Sequence, residues 1–73
     1  VINQYDIIFL DPPFAFKEIS KIFDLIKLKN YLKREGIIIL HRHKSEREIL
    51  PSYIKETEVR TYGISKIFFL ELN

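Results

Sequence analysis

The segment Asp11-Pro12-Pro13-Phe14 places a carboxylate, two imide rings and an aromatic side chain in direct succession, immediately after the apolar run Ile7-Ile8-Phe9-Leu10. The Asp11 carboxylate and the Pro12 carbonyl are two hydrogen-bond acceptors, held at restricted angles because the proline ring locks φ. Neither Pro12 nor Pro13 carries an N–H that would compete for them. Two converging acceptors match a planar amino group, which brings two N–H donors. Phe14 supplies a flat face on which a nucleobase stacks, worth ~1–3 kcal/mol. The amine of a purine is a weak nucleophile, since its lone pair is delocalised into the ring. Hydrogen bonds from both of its N–H groups favour a pyramidal nitrogen able to attack an electrophilic methyl group. A base reaches such a pocket only after leaving its stack.

The elements around this segment must present it at an edge. Continuous rather than alternating hydrophobicity predicts a strand from Ile7 to Leu10 buried on both faces, as in a parallel sheet. The prolines end that strand, so Asp11 falls at its carboxyl end, where open α/β sheets bind ligands. Phe16, Ile19, Ile22, Phe23 and Ile26 then recur at helical spacing, which predicts an amphipathic helix packed on the sheet. The stripe slips near Leu28 to Asn30, where the helix is expected to break or restart. Gly36, preceded by Lys33 and Arg34, has the form of a helix stop. Ile37 to Leu40 reads as a second buried strand, parallel to the first through a right-handed crossover. His41-Arg42-His43-Lys44 leaves it on the same edge as Asp11. Ser45 to Glu48 has the pattern of a capping box opening a short helix before Pro51. Glu56 to Tyr62 and Ser65 to Leu72 flank the turn-like Tyr62-Gly63-Ile64-Ser65, predicting a terminal β-hairpin. The fold class is α/β, β-α-β plus a hairpin.

With 73 residues, the chain is one small domain or a piece of a larger one. Hydrophobic residues make up 47%, which excludes a disordered tail. No apolar run approaches the roughly 20 residues of a membrane span, and the start at Val1 shows no signal-peptide pattern. Cysteine is absent, so neither disulfides nor thiolate metal sites enter the reading; a cytoplasmic protein is expected. The formal charge of +2 tolerates nucleic acid without arguing for it.

Asp11-Pro12-Pro13-Phe14 after an apolar strand resembles the (D/N/S)-P-P-(F/Y/W) motif of S-adenosylmethionine-dependent amino-methyltransferases. Together with Gly36 opening a strand, Leu50-Pro51, and Arg60-Thr61-Tyr62-Gly63 before a final apolar strand, it resembles the RsmD-type family. Those enzymes methylate the exocyclic N2 of a guanine in 16S ribosomal RNA. The resemblance spans essentially all of residues 1–73 and matches the C-terminal half of that family's Rossmann-like catalytic domain. It implies that Asp11 and Pro12 hold the target amine and Phe14 stacks on the base. It also implies that Pro13, Tyr62 and Gly63 shape the neighbouring surface, that the methyl donor is S-adenosylmethionine and that the partner is ribosomal RNA. Two departures accompany it. The glycine-rich cofactor loop is absent, since Gly36 and Gly63 are the only glycines. Where relatives commonly carry an acidic residue at the end of the second strand, this chain has Leu40-His41-Arg42-His43. The expectation is therefore a partial domain lacking the N-terminal, cofactor-binding half, whose isolated chain does not turn over.

Bland readings stand beside these. Asp-Pro pairs often merely start turns. His41 and His43 point the same way along an extended segment, yet no third metal ligand accompanies them; exposed cations, with Arg42 and Lys44, touching RNA phosphates are the competing account. Arg60 pairs either with phosphate or with Glu58. Tyr62 either covers the pocket or packs on Tyr53 or Ile54. Asp6 is expected to be solvated at the far end of the first strand. The alternative function is a non-catalytic remnant or RNA-binding module, and a third is methylation of adenine in DNA. Finally, the uncharged Ile7–Leu10 edge is an association hazard, which predicts pairing with a separate N-terminal half or a second copy of the chain.

Overall fold

A computed structural model describes residues 3–12, 18–46 and 49–72. In chain order it contains β1 (Tyr5–Leu10), α1 (Ile19–Leu28), β2 (Leu32–His43), β3 (Ile54–Tyr62) and β4 (Ser65–Leu72). The four strands form one sheet in the order β1-β2-β4-β3. β1 runs parallel to β2, β2 antiparallel to β4, and β3 antiparallel to β4. The anticipated β-α-β unit and terminal hairpin are both present.

α1 forms where the apolar stripe has helical period, and it buries Ile19, Phe23 and Ile26 against Ile38, Leu40, Phe68 and Leu70 of the sheet. Phe16 lies outside the described residues, whereas Leu25 and Leu28, which follow the other face, are exposed. The helix ends at Leu28, with Lys29 as its cap, and not at Gly36. Asn30 takes the left-handed conformation (φ 55°), its N–H donates to the Lys27 carbonyl, and the N–H of Tyr31 donates to that of Ile26. This is the paired termination that a left-handed residue after a helix permits. No second helical segment follows, since β2 begins at Leu32.

Gly36 belongs to β2. A step of two residues on β1, Tyr5 to Ile7, is matched by one of five on β2, Leu32 to Ile37. The surplus folds into a bulge in which Glu35 has φ 67°. A Cβ on Gly36 would lie 2.7 Å from Leu32 Cδ1 and 2.9 Å from the Lys33 carbonyl oxygen, so close approach rather than helix termination requires glycine there. Beyond Leu40, pairing with β4 carries the strand on through His43. Lys44 and Ser45 form a turn, while Arg47 and Glu48, on which the capping box depends, lie outside the described residues.

The two faces of the sheet are unlike. Along β2, Gly36, Ile38, Leu40 and Arg42 are buried, while Ile37, Ile39, His41 and His43 are half-buried. Strand alternation puts the second set on the face away from α1. Ile7 and Phe9, which pair with Ile37 and Ile39, are 57% and 59% exposed. The expectation that β1 is buried on both faces is thus corrected: one face packs on the core, and no described residue covers the other.

Candidate functional site

β1 and β2 are parallel and in register from Ile7↔Ile37 to Leu10↔Leu40, so the chain leaves both strands at one edge. There the Asp11 carboxylate Oδ1 lies 3.0 Å from His41 Nδ1, and His41 Nε2 lies 2.9 Å from Ser65 Oγ. Three elements are thereby joined: the end of β1, the extension of β2 and the start of β4. Asp11, Pro12, His41, Arg42, His43, Ile64 and Ser65 line a cavity of about 170 Å³ at this edge. The Asp11 side chain is 58% exposed, and Oδ2 accepts no hydrogen bond from a described residue. Its carboxylate is therefore held on one side and presented on the other.

Pro12 follows at the same rim, and its carbonyl is a second acceptor with no ladder partner to serve. Pro13 and Phe14 lie outside the described residues. Gly63 occupies the hairpin turn with φ 56°, where a glycine avoids the steric cost of a left-handed residue. The N–H of Lys44 donates to the Ile64 carbonyl at 2.7 Å, tying the exit of β2 to that turn. Ile64 and Ser65 thereby enter the cavity wall, and neither was singled out from sequence. Their turn and hairpin-start positions held the only signal, since serine and isoleucine at such sites are ordinary.

The cations sort differently from expectation. Arg42 is buried, only 5% exposed, with Nη2 3.7 Å from Glu46 Oε2; strand alternation turns it to the helix-covered face, so it is not an exposed cation. His43 Nδ1 lies 2.7 Å from Ser45 Oγ, whereas Lys44 is exposed. Among the described residues no three His, Cys, Asp or Glu side chains gather to hold a metal. Arg60 pairs with Glu58 and donates to the Tyr62 hydroxyl at 3.5 Å. These hydrogen bonds, first to Tyr62 and then to Glu58, push its pKa further up. Tyr62 is 58% exposed and is not among the residues that line the cavity. Asp6, at the far end of β1, faces Lys33 at 3.6 Å and is largely solvated.

The chain matches the family described as conserved hypothetical protein 95 over residues 2–71. It is 30% identical to an uncharacterized methylase of Rickettsia prowazekii over 66 residues, 90% of this chain and 28% of that protein. It is 34% identical to the ribosomal RNA small subunit methyltransferase D of Buchnera aphidicola over 49 residues, 67% of this chain and 26% of that protein. Among solved structures it resembles a Haemophilus influenzae protein assigned as a methylase, with a TM-score of 0.74 at 30% identity over 93% of this chain. A conserved hypothetical protein of Streptococcus pyogenes superposes with a TM-score of 0.79 at 26% identity over 96%. The chain spans only 44% of each of those two structures.

Proposed function

The chain belongs to the RsmD-type methyltransferase family, and from that premise we propose that it carries the base-binding side of a cytoplasmic enzyme that methylates the exocyclic N2 amine of a guanine in small-subunit ribosomal RNA. The observation that carries the reading is the exposed Asp11 carboxylate, followed by Pro12, at the rim of a cavity on the carboxyl edge of two parallel strands. One N–H of the amine donates to Asp11 and the other to the Pro12 carbonyl. The nitrogen lone pair is then directed away from both acceptors. Phe14 stacks on the base and Pro13 stiffens the segment between them. Ile64 and Ser65 bound the pocket on the hairpin side, Tyr62 and Gly63 shape the turn beside them, and Lys44 faces the phosphates.

S-adenosylmethionine is the methyl donor we assign to the complete enzyme, but the described residues do not build its site. The edge cavity of about 170 Å³ is smaller than the ~300–1,000 Å³ of ordinary small-molecule pockets. Its one described carboxylate, Asp11, is held at Oδ1 by His41, and this reading gives its other oxygen to the guanine amine. We therefore assign donor binding to polypeptide that corresponds to the portion of the relatives this chain does not span. The same polypeptide is the natural cover for β1. Ile7 and Phe9 lie open on one face. On the other, Tyr5, Ile8, Leu10, Ile22, Leu25 and Ile26 line an apolar groove of about 380 Å³ along the unpaired edge.

The test supplies methyl-labelled S-adenosylmethionine and unmethylated 16S RNA or small subunits, with nucleosides identified by mass spectrometry. The chain combined with polypeptide corresponding to the portion of the relatives it does not span should yield N2-methylguanosine, and Asp11→Asn should abolish it. The chain alone should give neither product nor binding heat with S-adenosylmethionine. N6-methyladenine instead would redirect the reading to the adenine branch. No product from the combined protein would leave a non-catalytic remnant.

A further inference from the structure

The Asp11–His41–Ser65 chain has a chemical consequence beyond holding three elements together. A carboxylate only accepts hydrogen bonds, and a serine hydroxyl both donates and accepts. With His41 Nδ1 at 3.0 Å from Asp11 Oδ1 and Nε2 at 2.9 Å from Ser65 Oγ, a neutral imidazole must carry its proton on Nδ1. Nδ1–H then donates to Asp11, and Nε2 accepts from the Ser65 hydroxyl. Ser65 is paired across the hairpin with Tyr62 and across the sheet with His43, so His41 on β2 and Ser65 on β4 both sit on ordered strands. Asp11, by contrast, stands just beyond the end of β1, where no ladder bond fixes it. An exposed carboxylate on a loop turns about its χ angles and loses its aim. One fixed at Oδ1 keeps Oδ2 in a single direction.

We propose that His41 is a positioning residue: with its ring held by Ser65 and its proton on Nδ1, it fixes the Asp11 carboxylate so that the second oxygen is aimed at the amino group of the incoming guanine. The proposal rests on the base-binding reading above and adds to it the element that orients the acceptor. His41 touches no substrate. It stands where a generic basic contact to phosphate was expected, and both ring nitrogens are instead engaged within the chain.

The experiment is nitrogen-15 spectroscopy of the histidine rings in the whole 73-residue chain, in mildly alkaline buffer where imidazole is neutral. The expected signature is a protonated Nδ1 and an unprotonated Nε2 on His41, with the Nδ1–H resonance moving when Asp11→Asn is introduced. Ser65→Ala should leave the Nδ1–H tautomer dominant while a minor Nε2–H population appears. An Nε2–H tautomer in the native chain, or an average of the two that Asp11→Asn does not move, overturns the proposal. A second readout separates positioning from support of the fold. Guanosine monophosphate should bind His41→Phe about tenfold more weakly than the native chain, the loss expected for a misdirected hydrogen bond to a charged acceptor. His41→Asn, whose side-chain amide reaches the Nδ1 position, should restore binding to within about threefold at equal thermal stability. Equal affinity for native and His41→Phe also overturns the proposal. No nucleotide binding by a native chain that shows the tautomer signature defeats the base-binding reading instead.

Discussion

The two outer strands of the sheet face the same problem and answer it differently. β3 carries Lys55, Glu56, Glu58 and Arg60, its register is interrupted between Glu56 and Glu58, and its residues after Ile54 are exposed. Charge and a bulge are the usual means by which an edge strand resists pairing with another chain. β1 offers Ile7, Ile8, Phe9 and Leu10 with a single charge, Asp6, near its start, and its irregularity is confined to that end. It lacks the protection β3 has. The difference teaches that β3 is protected as an outer edge, while the open edge of β1 carries no such protection among the described residues. The site hangs from β1, so a chain that paired with that edge would arrive beside Asp11.

The largest effect that sharpens this contrast compares two phenylalanines. Phe23 is fully buried under the sheet and Phe9 is 59% exposed on the open face. Phe23→Ala should cost about 3–5 kcal/mol, enough to unfold a chain of this size. Phe9→Ser should change the denaturation midpoint little, within about 0.5 kcal/mol, while reducing self-association at high concentration. A comparable loss from both would mean that the open face is covered in solution.

A smaller effect concerns pairing. Ile7→Lys places a charge on the unprotected edge and should weaken association with the complementing polypeptide by at least about tenfold, measured by titration of one part with the other. Val59→Lys on β3 should leave that association unchanged. If the chain instead forms a dilution-resistant dimer that Ile7→Lys disrupts, a second copy is the occupant of the edge.

The smallest effect reports on the covered face through pH. The Tyr53 hydroxyl donates to Asp24 on α1, and Lys27 Nζ sits 4.4 Å from the centre of its ring. Desolvation, then the hydrogen bond and the charge of Asp24, raise the Tyr53 pKa from 10.0 to about 12. A raised pKa means that the folded state holds the proton more tightly. The contribution is complete below pH 10 and is lost as pH rises towards 12. Tyr53→Phe should flatten that alkaline decline in an unfolding series, with little change at neutral pH.

Much of the architecture was legible because it is written in local period. Helical spacing marked α1, continuous β-branched runs marked β1 and β2, and Gly63 between two apolar segments marked the hairpin. The placement of Asp11 and His41 at one edge followed from parallel strands alone. What escaped is what depends on the rest of the molecule. Gly36 carries the same signature whether it ends a helix or admits a tight bulge against Leu32, and only the left-handed Asn30 decides. An apolar run states that a strand can be buried, not that its cover is at hand, hence the misjudged second face of β1. Arg42 reads as an exposed cation until strand alternation is counted through His43 and turns it inward toward Glu46.

The central claim is that the carboxyl edge of β1 recognises an exocyclic purine amine. It is tested most directly by titrating the isotopically labelled chain with guanosine monophosphate and, in parallel, with inosine monophosphate, which lacks only that amine. The account predicts resonance shifts at Asp11, His41 and Ser65 with the guanine nucleotide, and affinity for the inosine nucleotide about tenfold weaker. Equal affinities, or shifts that gather elsewhere on the sheet, would contradict it.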